Sequence, residues 1–202
     1  MITTIDKNTA LVLIDLQKGI VKMKTVHPVK TILLKASMLV DIFRAHNMPI
    51  VVVHVNPFDA PWTKTRVEVT NMPQNQVMKS IAKMAMPMMG FTDIVPEIEV
   101  KPEDILIEKK SWNAFFLTSL NEELKKREIT QLVLAGISTS IAVEGTARAG
   151  SELGYNLIFA TDAMTDKIRE AHSNSLSNIF PRLGELATVM EITRKLSSGN
   201  IK

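Results

Sequence analysis

The chain has 202 residues, of which 46% are hydrophobic and 22% are charged. These are the proportions of a globular protein, and they exclude a disordered tail, a collagen-like chain and a small disulfide-stapled scaffold. The length predicts a single domain over residues 1–202. The net charge is only +3 and the basic residues are scattered, so we expect no nucleic-acid partner and no membrane partner.

The sequence contains no cysteine. This excludes disulfides, thiolate metal sites, iron–sulfur clusters and a cysteine nucleophile. Residues 1–7 lack the basic and apolar regions of a signal peptide, and no apolar run has the length of a membrane span. We therefore expect a cytoplasmic protein.

Short apolar runs recur along the chain and predict buried strands, because strands covered on both faces are apolar at successive positions. The clear runs are 10–14, 50–55, 131–135 and 157–160, and the weaker ones are 105–107 and 187–190. Stretches with helical period lie between them, at 29–46, 141–153 and 167–179. This alternation predicts an α/β fold, a three-layer α/β/α sandwich of the Rossmann-like kind with a mostly parallel six-stranded sheet.

Local signals predict where some elements begin and end. Ser119 and Glu122 have the spacing of a capping box, Gly154 suits a helix C-cap, and Pro181 ends the helix before it. The proline-rich segment 57–102 shows no clear strand, so we expect a long excursion that covers a site or contacts another subunit.

Two ionisable residues close predicted strands, where ligands gather in a parallel sheet. Asp15 follows four apolar residues, so partial desolvation would raise its pKa and suit it to acid–base chemistry. Lys109 closes another strand and could hold a neighbouring carboxylate in its ionised form. The alternatives are that Asp15 caps a turn and that Lys109 and Lys110 are simply solvated.

The loop 136–140 leads from a predicted strand into a helix. Free backbone N–H groups at such a junction can bind an anion or stabilise an oxyanion. The alternative is that Ser138, Thr139 and Ser140 only cap the helix. A serine nucleophile is disfavoured, because the loop lacks the Gly-x-Ser-x-Gly pattern.

No metal or cofactor motif is present in the sequence. The histidines at 27, 46, 54 and 172 lack metal-ligand spacing, and neither a dinucleotide-binding nor a P-loop glycine pattern occurs. We therefore expect no metal and no cofactor. The methionines at 84, 86, 88 and 89 predict an apolar packing or subunit-contact surface.

Three segments, in order, resemble motifs of the isochorismatase-like, or cysteine-hydrolase, superfamily. Residues 10–17 resemble its first strand with the catalytic aspartate, 109–115 its Lys-x-x-aromatic-x-Ala-Phe segment, and 136–148 its nucleophile loop and helix. The resemblance extends from residue 9 to residue 190 and implies the three-layer fold.

The resemblance also implies roles for individual residues. It makes Asp15 and Lys109 catalytic, and it puts Ala142 where thiol members carry their cysteine. It implies that Gln17, Trp112, Ile137 and Ser138 bind substrate. A non-proline cis bond between Ile137 and Ser138 would aim the N–H groups of Ser138 and Ala142 at a substrate oxygen. Leu117 departs from the family pattern, which commonly has glycine there.

Without a thiol, amide hydrolysis through a thioester is closed to this chain. Relatives that resemble true isochorismatases hydrolyse a vinyl ether with the aspartate as general acid, so we expect a small-molecule hydrolase that uses Asp15 and Lys109. A dicarboxylate substrate would need cations such as Lys64, Arg66 or Arg148, although Arg148 could equally form an ion pair on its helix.

The alternative to an enzyme is a catalytically degenerate member that acts as a small-molecule binding or assembly module. Because many relatives assemble, we expect a homodimer or a larger homo-oligomer.

Overall fold

A computed structural model describes residues 2–58, 60–65 and 75–199. Six strands form one sheet in the order β3-β2-β1-β4-β5-β6, and every neighbouring pair is parallel. The strands are β1 Thr9–Ile14, β2 Ile50–Val55, β3 Ile105–Lys109, β4 Gln131–Ile137, β5 Asn156–Thr165 and β6 Glu185–Ala187. The predicted parallel sheet of six strands is confirmed.

Helices connect the strands, as parallel pairing requires. They are α1 Lys18–Val21, α2 Val29–Ala45, α3 Gln76–Met88, α4 Leu120–Lys126, α5 Glu144–Glu152, α6 Arg169–Asn174 and α7 Val189–Ser197. Shorter turns are 3₁₀ helices at Pro61–Lys64 and Phe180–Arg182 and π-helical turns at Thr139–Val143 and Ser175–Ile179. The π-helical turn Ser175–Ile179 continues α6 to the end of the predicted 167–179 helix, and the 3₁₀ turn Phe180–Arg182 follows it.

Two apolar layers flank the sheet, because successive side chains of a strand point to opposite faces. One layer joins Leu11 and Leu13 to buried residues of α2 and α7. The other joins Val12 and Ile14 to α4 and α5. Helices therefore cover both faces, which confirms the α/β/α sandwich and explains why the central strands are apolar at successive positions.

The predicted strand over 187–190 is displaced. The strand is β6, which ends at Ala187, and Val189 already belongs to α7. Thr188 accepts from the Glu191 N–H, and the Glu191 carboxylate accepts from the Thr188 N–H, so a capping box starts the helix there.

The capping box predicted at Ser119 and Glu122 is wrong. Helix α4 does begin after Ser119, but the Ser119 side chain makes no capping hydrogen bond. Its backbone has φ −82° and ψ 3°, which is not the extended conformation that aims an N-cap side chain at the first turn. The hydroxyl of Thr118 instead accepts from the Leu120 N–H at 3.3 Å.

The long excursion 57–102 holds α3 and no strand among its described residues. Many apolar side chains of α3 and of the residue that follows it face solvent, namely Val77, Met78, Ile81, Met84, Met88 and Met89. This exposed face agrees with the predicted apolar surface, although the side chain of Met86 lies outside the described part of the structure.

Candidate active site

Asp15 and Lys109 meet at the carboxyl end of the sheet. Asp15 directly follows β1 and Lys109 ends β3, with β2 between the two strands. The long Lys109 side chain crosses β2, and its Nζ lies 2.8 Å from Asp15 Oδ2. The side chains are 1% and 6% exposed, so the pair is buried. Asp15 and Lys109, each singled out because it ends a predicted strand, thus form one ion pair.

The Lys109 ammonium is fully satisfied by protein groups. Besides Asp15, it donates to the carbonyls of Ser111 at 3.1 Å and Trp112 at 3.0 Å. An ammonium has three donors, and all three are therefore engaged. Lys109 thus binds the carboxylate and two carbonyl groups of the loop after β3, and it has no N–H group left for a substrate.

Only one oxygen of the Asp15 carboxyl has a hydrogen-bond partner among the described residues. Its Oδ2 accepts from Lys109, whereas its Oδ1 is buried and has no hydrogen-bond partner among the described residues. A buried polar atom without a partner is costly, and such atoms mark places where a ligand or a proton completes the structure. Asp15 also has φ +56°, a conformation that non-glycine residues adopt mainly at turns and functional sites.

Burial decides the protonation of this carboxyl. Desolvation raises the pKa of Asp15 to about 6, against the opposing effect of the Lys109 charge and hydrogen bond. Near neutral pH the group therefore exchanges between its acid and its base form, which is the property that acid–base chemistry requires.

The turn after β4 brings Ala142 to the same end of the sheet. Gly136 has φ +134°, and a Cβ atom there would lie 2.0 Å from the carbonyl oxygen of Ile14, so only glycine lets β4 pass β1 this closely. The Ile137–Ser138 bond is cis, as the resemblance implies. The π-helical turn Thr139–Val143 follows and buries Ala142, which is 3% exposed.

Only one of the two N–H groups expected to face a substrate oxygen is unengaged. The Ala142 N–H donates to the Ser138 carbonyl at 3.0 Å inside the turn. The expectation that Ala142 offers its N–H to substrate therefore does not fit this geometry. No acceptor within the described residues takes the Ser138 N–H.

Thr146 connects Ala142 to the loop that surrounds Lys109. Its hydroxyl donates to the Ala142 carbonyl at 2.7 Å and accepts from the Ala114 N–H at 3.0 Å. Ala114, Ala142 and Ile14 also belong to the same apolar layer. Ala142, where the resemblance expects a thiol, thus adjoins the segment that holds the ion pair.

An aromatic pair lies beside this loop. The rings of Trp62 and Trp112 are 6.4 Å apart between centroids, and Trp112 is half exposed. The indole nitrogen of Trp62 is buried and has no acceptor in the described part of the chain. Sequence reasoning missed Trp62, because it lies in the excursion and carries no motif.

Two residues expected to bind substrate have structural contacts instead. Both N–H groups of the Gln17 amide donate to backbone carbonyls, of Val55 at 3.0 Å and Phe91 at 3.1 Å, and its oxygen accepts from the Val55 N–H at 2.7 Å. The Ile137 side chain packs in the apolar layer of α2 and α7, away from Ala142. Neither side chain is oriented for contact with a ligand in this structure.

Two of the three cations considered for an anionic substrate lie within the described residues. Arg148 forms an ion pair with Glu144 at 2.8 Å on its own helix, and Lys64 is exposed. Arg66 lies outside the described residues. The interpretation of Arg148 as a helix-supporting residue therefore matches the observed contact.

The histidines form no metal site among the described residues. His172, however, is buried and its Nδ1 lies 2.8 Å from the Thr139 hydroxyl, a pair that sequence spacing did not reveal. None of the helices in the described part of the chain has the length and apolarity that crossing a bilayer requires.

Comparison with known proteins agrees with the fold. The isochorismatase domain matches residues 9–191. The uncharacterized isochorismatase family protein YwoC of Bacillus subtilis strain 168 is 40% identical over 190 residues, which cover 94% of this chain and 95% of that protein. A second uncharacterized member, YecD of Escherichia coli O157:H7, is 37% identical over 202 residues, with 94% and 97% covered.

A solved isochorismatase family protein from Burkholderia thailandensis has 32% sequence identity and superposes with a TM-score of 0.84, covering 98% of this chain and 100% of that chain. Sequence and structure therefore agree over nearly the whole length. The chain belongs to the isochorismatase family of hydrolases, and with no cysteine in its sequence it is a member without a thiol nucleophile.

Proposed function

We propose that this protein hydrolyses a small molecule through acid catalysis by Asp15, and that a vinyl ether is the substrate class. One observation carries the proposal: a buried carboxyl whose pKa is raised to about 6 has one oxygen held by Lys109 and the other without a partner. An acid that is half protonated near pH 6 and has an oxygen without a partner can protonate a carbon atom, which is the difficult step of enol-ether hydrolysis.

The reaction follows from these groups. Protonated Asp15 transfers its proton to the terminal carbon of the enol ether, and the ether oxygen stabilises the resulting cation. Water adds to that cation and returns a proton to the Asp15 carboxylate, and the hemiketal then breaks into a carbonyl compound and an alcohol. Lys109 stabilises the carboxylate in the interval, because its charge lies 2.8 Å from Oδ2.

Other features of the site support the same chemistry. Alanine at position 142 occupies little volume, so water or substrate can approach where thiol relatives carry a nucleophile. The unengaged Ser138 N–H is suited to an oxygen of the substrate or of the hemiketal. Trp112, half exposed beside the Lys109 loop, offers a flat apolar surface to an unsaturated group.

A second candidate function is a binding or assembly module that has lost catalysis. Ala142 favours this alternative, because it removes the nucleophile of thiol members without replacing it by another one. The retained ion pair favours the enzyme, because a module that only binds has no need of a buried carboxyl with an open oxygen.

A substrate panel distinguishes the two functions. We expect the wild-type protein to turn over a vinyl ether but no amide and no ester, and Asp15→Asn to lower kcat/KM by about 10³-fold, within the usual range for loss of a general acid. Turnover that survives Asp15→Asn unchanged would contradict the role of Asp15. Ligand binding without turnover of any substrate would favour the binding module.

Ala142→Cys supplies a complementary test. If the rest of a thiol site is present, this variant gains amide hydrolysis, whereas Ala142→Ser, with a weaker nucleophile, does not. The absence of amidase activity in the cysteine variant would indicate that the pocket has diverged from the thiol members beyond this position.

We also propose that the chain is a cytoplasmic homo-oligomer whose interface includes the exposed face of α3. Large apolar side chains there are more than half exposed, among them Val77, Met84 and Met88, and contiguous apolar surface of this kind marks contact sites. Met84→Glu should lower the mass measured by light scattering to that of one chain, 22.5 kDa. A wild-type protein that already has this mass would contradict the proposal.

A further inference from the structure

His172 forms a buried polar contact with the turn that carries Ser138 and Ala142. It lies on α6, is 5% exposed, and its Nδ1 is 2.8 Å from the hydroxyl of Thr139, which is itself fully buried. Thr139 is the first residue of the π-helical turn and directly follows Ser138. The contact therefore lies next to the candidate site, although neither side chain makes a hydrogen bond to Asp15 or Lys109.

Three further hydrogen bonds join the same part of the chain to the turn and to the residue that follows it. Asp166 Oδ2 accepts from both the N–H and the hydroxyl of Ser140, each at 2.8 Å. The hydroxyl of Ser175 donates to Glu144 Oε2 at 2.6 Å. Residues 166–175 thus contact the turn at its start, at its second residue and immediately after its end.

The Thr139–His172 pair has the spacing of a nucleophile and its base, but we assign it no part in the chemistry. Its two side chains bond to each other and neither makes a hydrogen bond to Asp15 or Lys109. Burial and the nearby His27 ring, 5.0 Å away, lower the pKa of His172, while Asp166 acts in the opposite direction and Arg169 in the same one. The imidazole is consequently neutral at pH 7 and can accept the Thr139 hydroxyl proton.

Thr146 on α5 connects the turn to the loop around Lys109. Thr146 bridges the Ala142 carbonyl and the Ala114 N–H, and the same loop provides the Ser111 and Trp112 carbonyls to Lys109. A shift of the turn therefore changes the surroundings of the ion pair through a continuous series of hydrogen bonds.

We propose that His172 is a positioning residue of the candidate active site, which holds the Ser138–Val143 turn in place through the Thr139 hydroxyl. This proposal rests on the proposed function for its catalytic consequence, and on the hydrogen-bond geometry alone for its structural one. It assigns a role to a residue that contacts no substrate.

Paired substitutions at both ends of the bond test the proposal. Thr139→Val keeps the shape of the side chain and removes the hydroxyl, and His172→Phe keeps a ring and removes the acceptor. Each should lower kcat on the vinyl ether by about 10-fold or more with a smaller change in KM, because small displacements of the groups around a reacting substrate lower the rate steeply. Thr139→Ser and His172→Asn, which retain a polar group at each end, should restore most of kcat.

The double variant Thr139→Val/His172→Phe should be no slower than the slower single variant, because both changes remove one shared contact. Tyr155→Phe is the matched control, because it removes one hydrogen bond of a buried side chain outside the turn, to Asn121 at 2.9 Å. Equal losses of kcat in Tyr155→Phe and Thr139→Val would show a general effect of stability and would overturn the proposal.

Tryptophan fluorescence gives a readout that needs no substrate. The chain has two tryptophans, and Trp62 and Trp112 lie together beside the loop. In the Asp15→Asn background, where the Asp15 titration is absent, Thr139→Val and His172→Phe should shift the emission spectrum, and Thr139→Ser and Tyr155→Phe should not. Unchanged emission in both disruptive variants overturns the proposal even if the vinyl-ether function holds. A shift in this background, combined with no turnover of a vinyl ether by the wild-type protein, supports the positioning role and rejects the proposed reaction.

Discussion

Two lysine–carboxylate pairs of nearly equal length lie in very different surroundings. Lys109 and Asp15 are 2.8 Å apart at the end of the sheet, where the side chains are 1% and 6% exposed. Lys126 and Glu123 are 2.7 Å apart on the surface of α4, where they are 65% and 25% exposed. The distance between the charged atoms is almost the same, and the environment decides what each pair does.

The pKa values of the two carboxyl groups move in opposite directions. Burial raises the pKa of Asp15, whereas hydrogen bonds from Lys126 and Arg127 lower the pKa of Glu123. At the surface, water already solvates both charges, so the partner only adds to the stability of the carboxylate. In the sheet, the loss of water exceeds the help from the partner, and the carboxyl becomes a usable acid.

The largest expected difference between the pairs is in stability. Lys109→Met leaves the Asp15 carboxyl buried without its cation and removes the donor to the Ser111 and Trp112 carbonyls. We expect a loss of about 3–5 kcal/mol at pH 8, because a buried charge loses its partner, and a smaller loss at pH 5, where the carboxyl can be neutral.

Urea unfolding at the two pH values measures this difference. The matched variant Lys126→Met breaks an exposed pair and should change the unfolding midpoint little. Equal losses in the two variants would mean that burial does not distinguish the pairs.

The next effect is the pH dependence of catalysis. With the pKa of Asp15 raised to about 6, the acid form dominates below that value and disappears above it. If Asp15 acts as the acid, kcat/KM falls about tenfold for each pH unit above 6. The measurement is a rate profile from pH 5 to 9, with Lys126→Met as a control that should reproduce it. A rate that instead rises through pH 6 would identify ionised Asp15, and thus a base, as the active form.

A smaller effect is expected at Leu117, in the loop between the two pairs. Leu117 has φ +54° and is 87% exposed, so it adopts a left-handed conformation with no packing to compensate. Leu117→Gly should stabilise the fold by about 1 kcal/mol, since this conformation costs a side chain with a Cβ roughly that much. Asn47→Gly, at φ +54° as well, should gain less, because asparagine tolerates this conformation. Thermal unfolding of both variants tests this difference. Destabilisation by Leu117→Gly would contradict the prediction, because it would mean that the leucine side chain stabilises the fold.

The smallest effect is the response of the pairs to salt. Mobile ions screen exposed charges and reach buried ones poorly. The lowered pKa of Glu123 should therefore move back toward its ordinary value of 4.5 in 1 M salt (about 3 Å of screening length), while the pKa of Asp15 stays raised. Carboxyl titration by NMR at two salt concentrations checks this, and a large salt response of Asp15 would contradict its burial.

The sheet and the ion pair could be predicted from sequence, because both follow from regular patterns. Buried parallel strands have continuous apolar runs, and the residues that end them meet at one edge. The contact of Asp15 with Lys109 follows from this geometry together with the length of a lysine. The family resemblance added the cis bond at Ile137 and the position of the absent thiol at Ala142.

The features that the sequence did not reveal depend on which of several nearby hydrogen-bond partners a side chain takes. The Ser119 capping box is absent because the backbone there is not extended, and the strand predicted over 187–190 ends at Ala187 and leaves Thr188 free to cap α7. Gln17 was expected to bind substrate, but unpaired backbone groups at Val55 and Phe91 take its amide. The Thr139–His172 pair joins residues 33 positions apart, and no local spacing encodes such a contact.

The buried amide of Gln17 has an evolutionary consequence. It bonds Val55, the last residue of β2, and Phe91, three residues after α3, so one side chain joins the start of the excursion to the residues that follow its helix. Neighbouring backbone bonds from Lys18 to Asp93 and from Gly19 to Phe91 reinforce this connection. The segment between these anchors can change length and sequence while the strand ends beneath it keep their places.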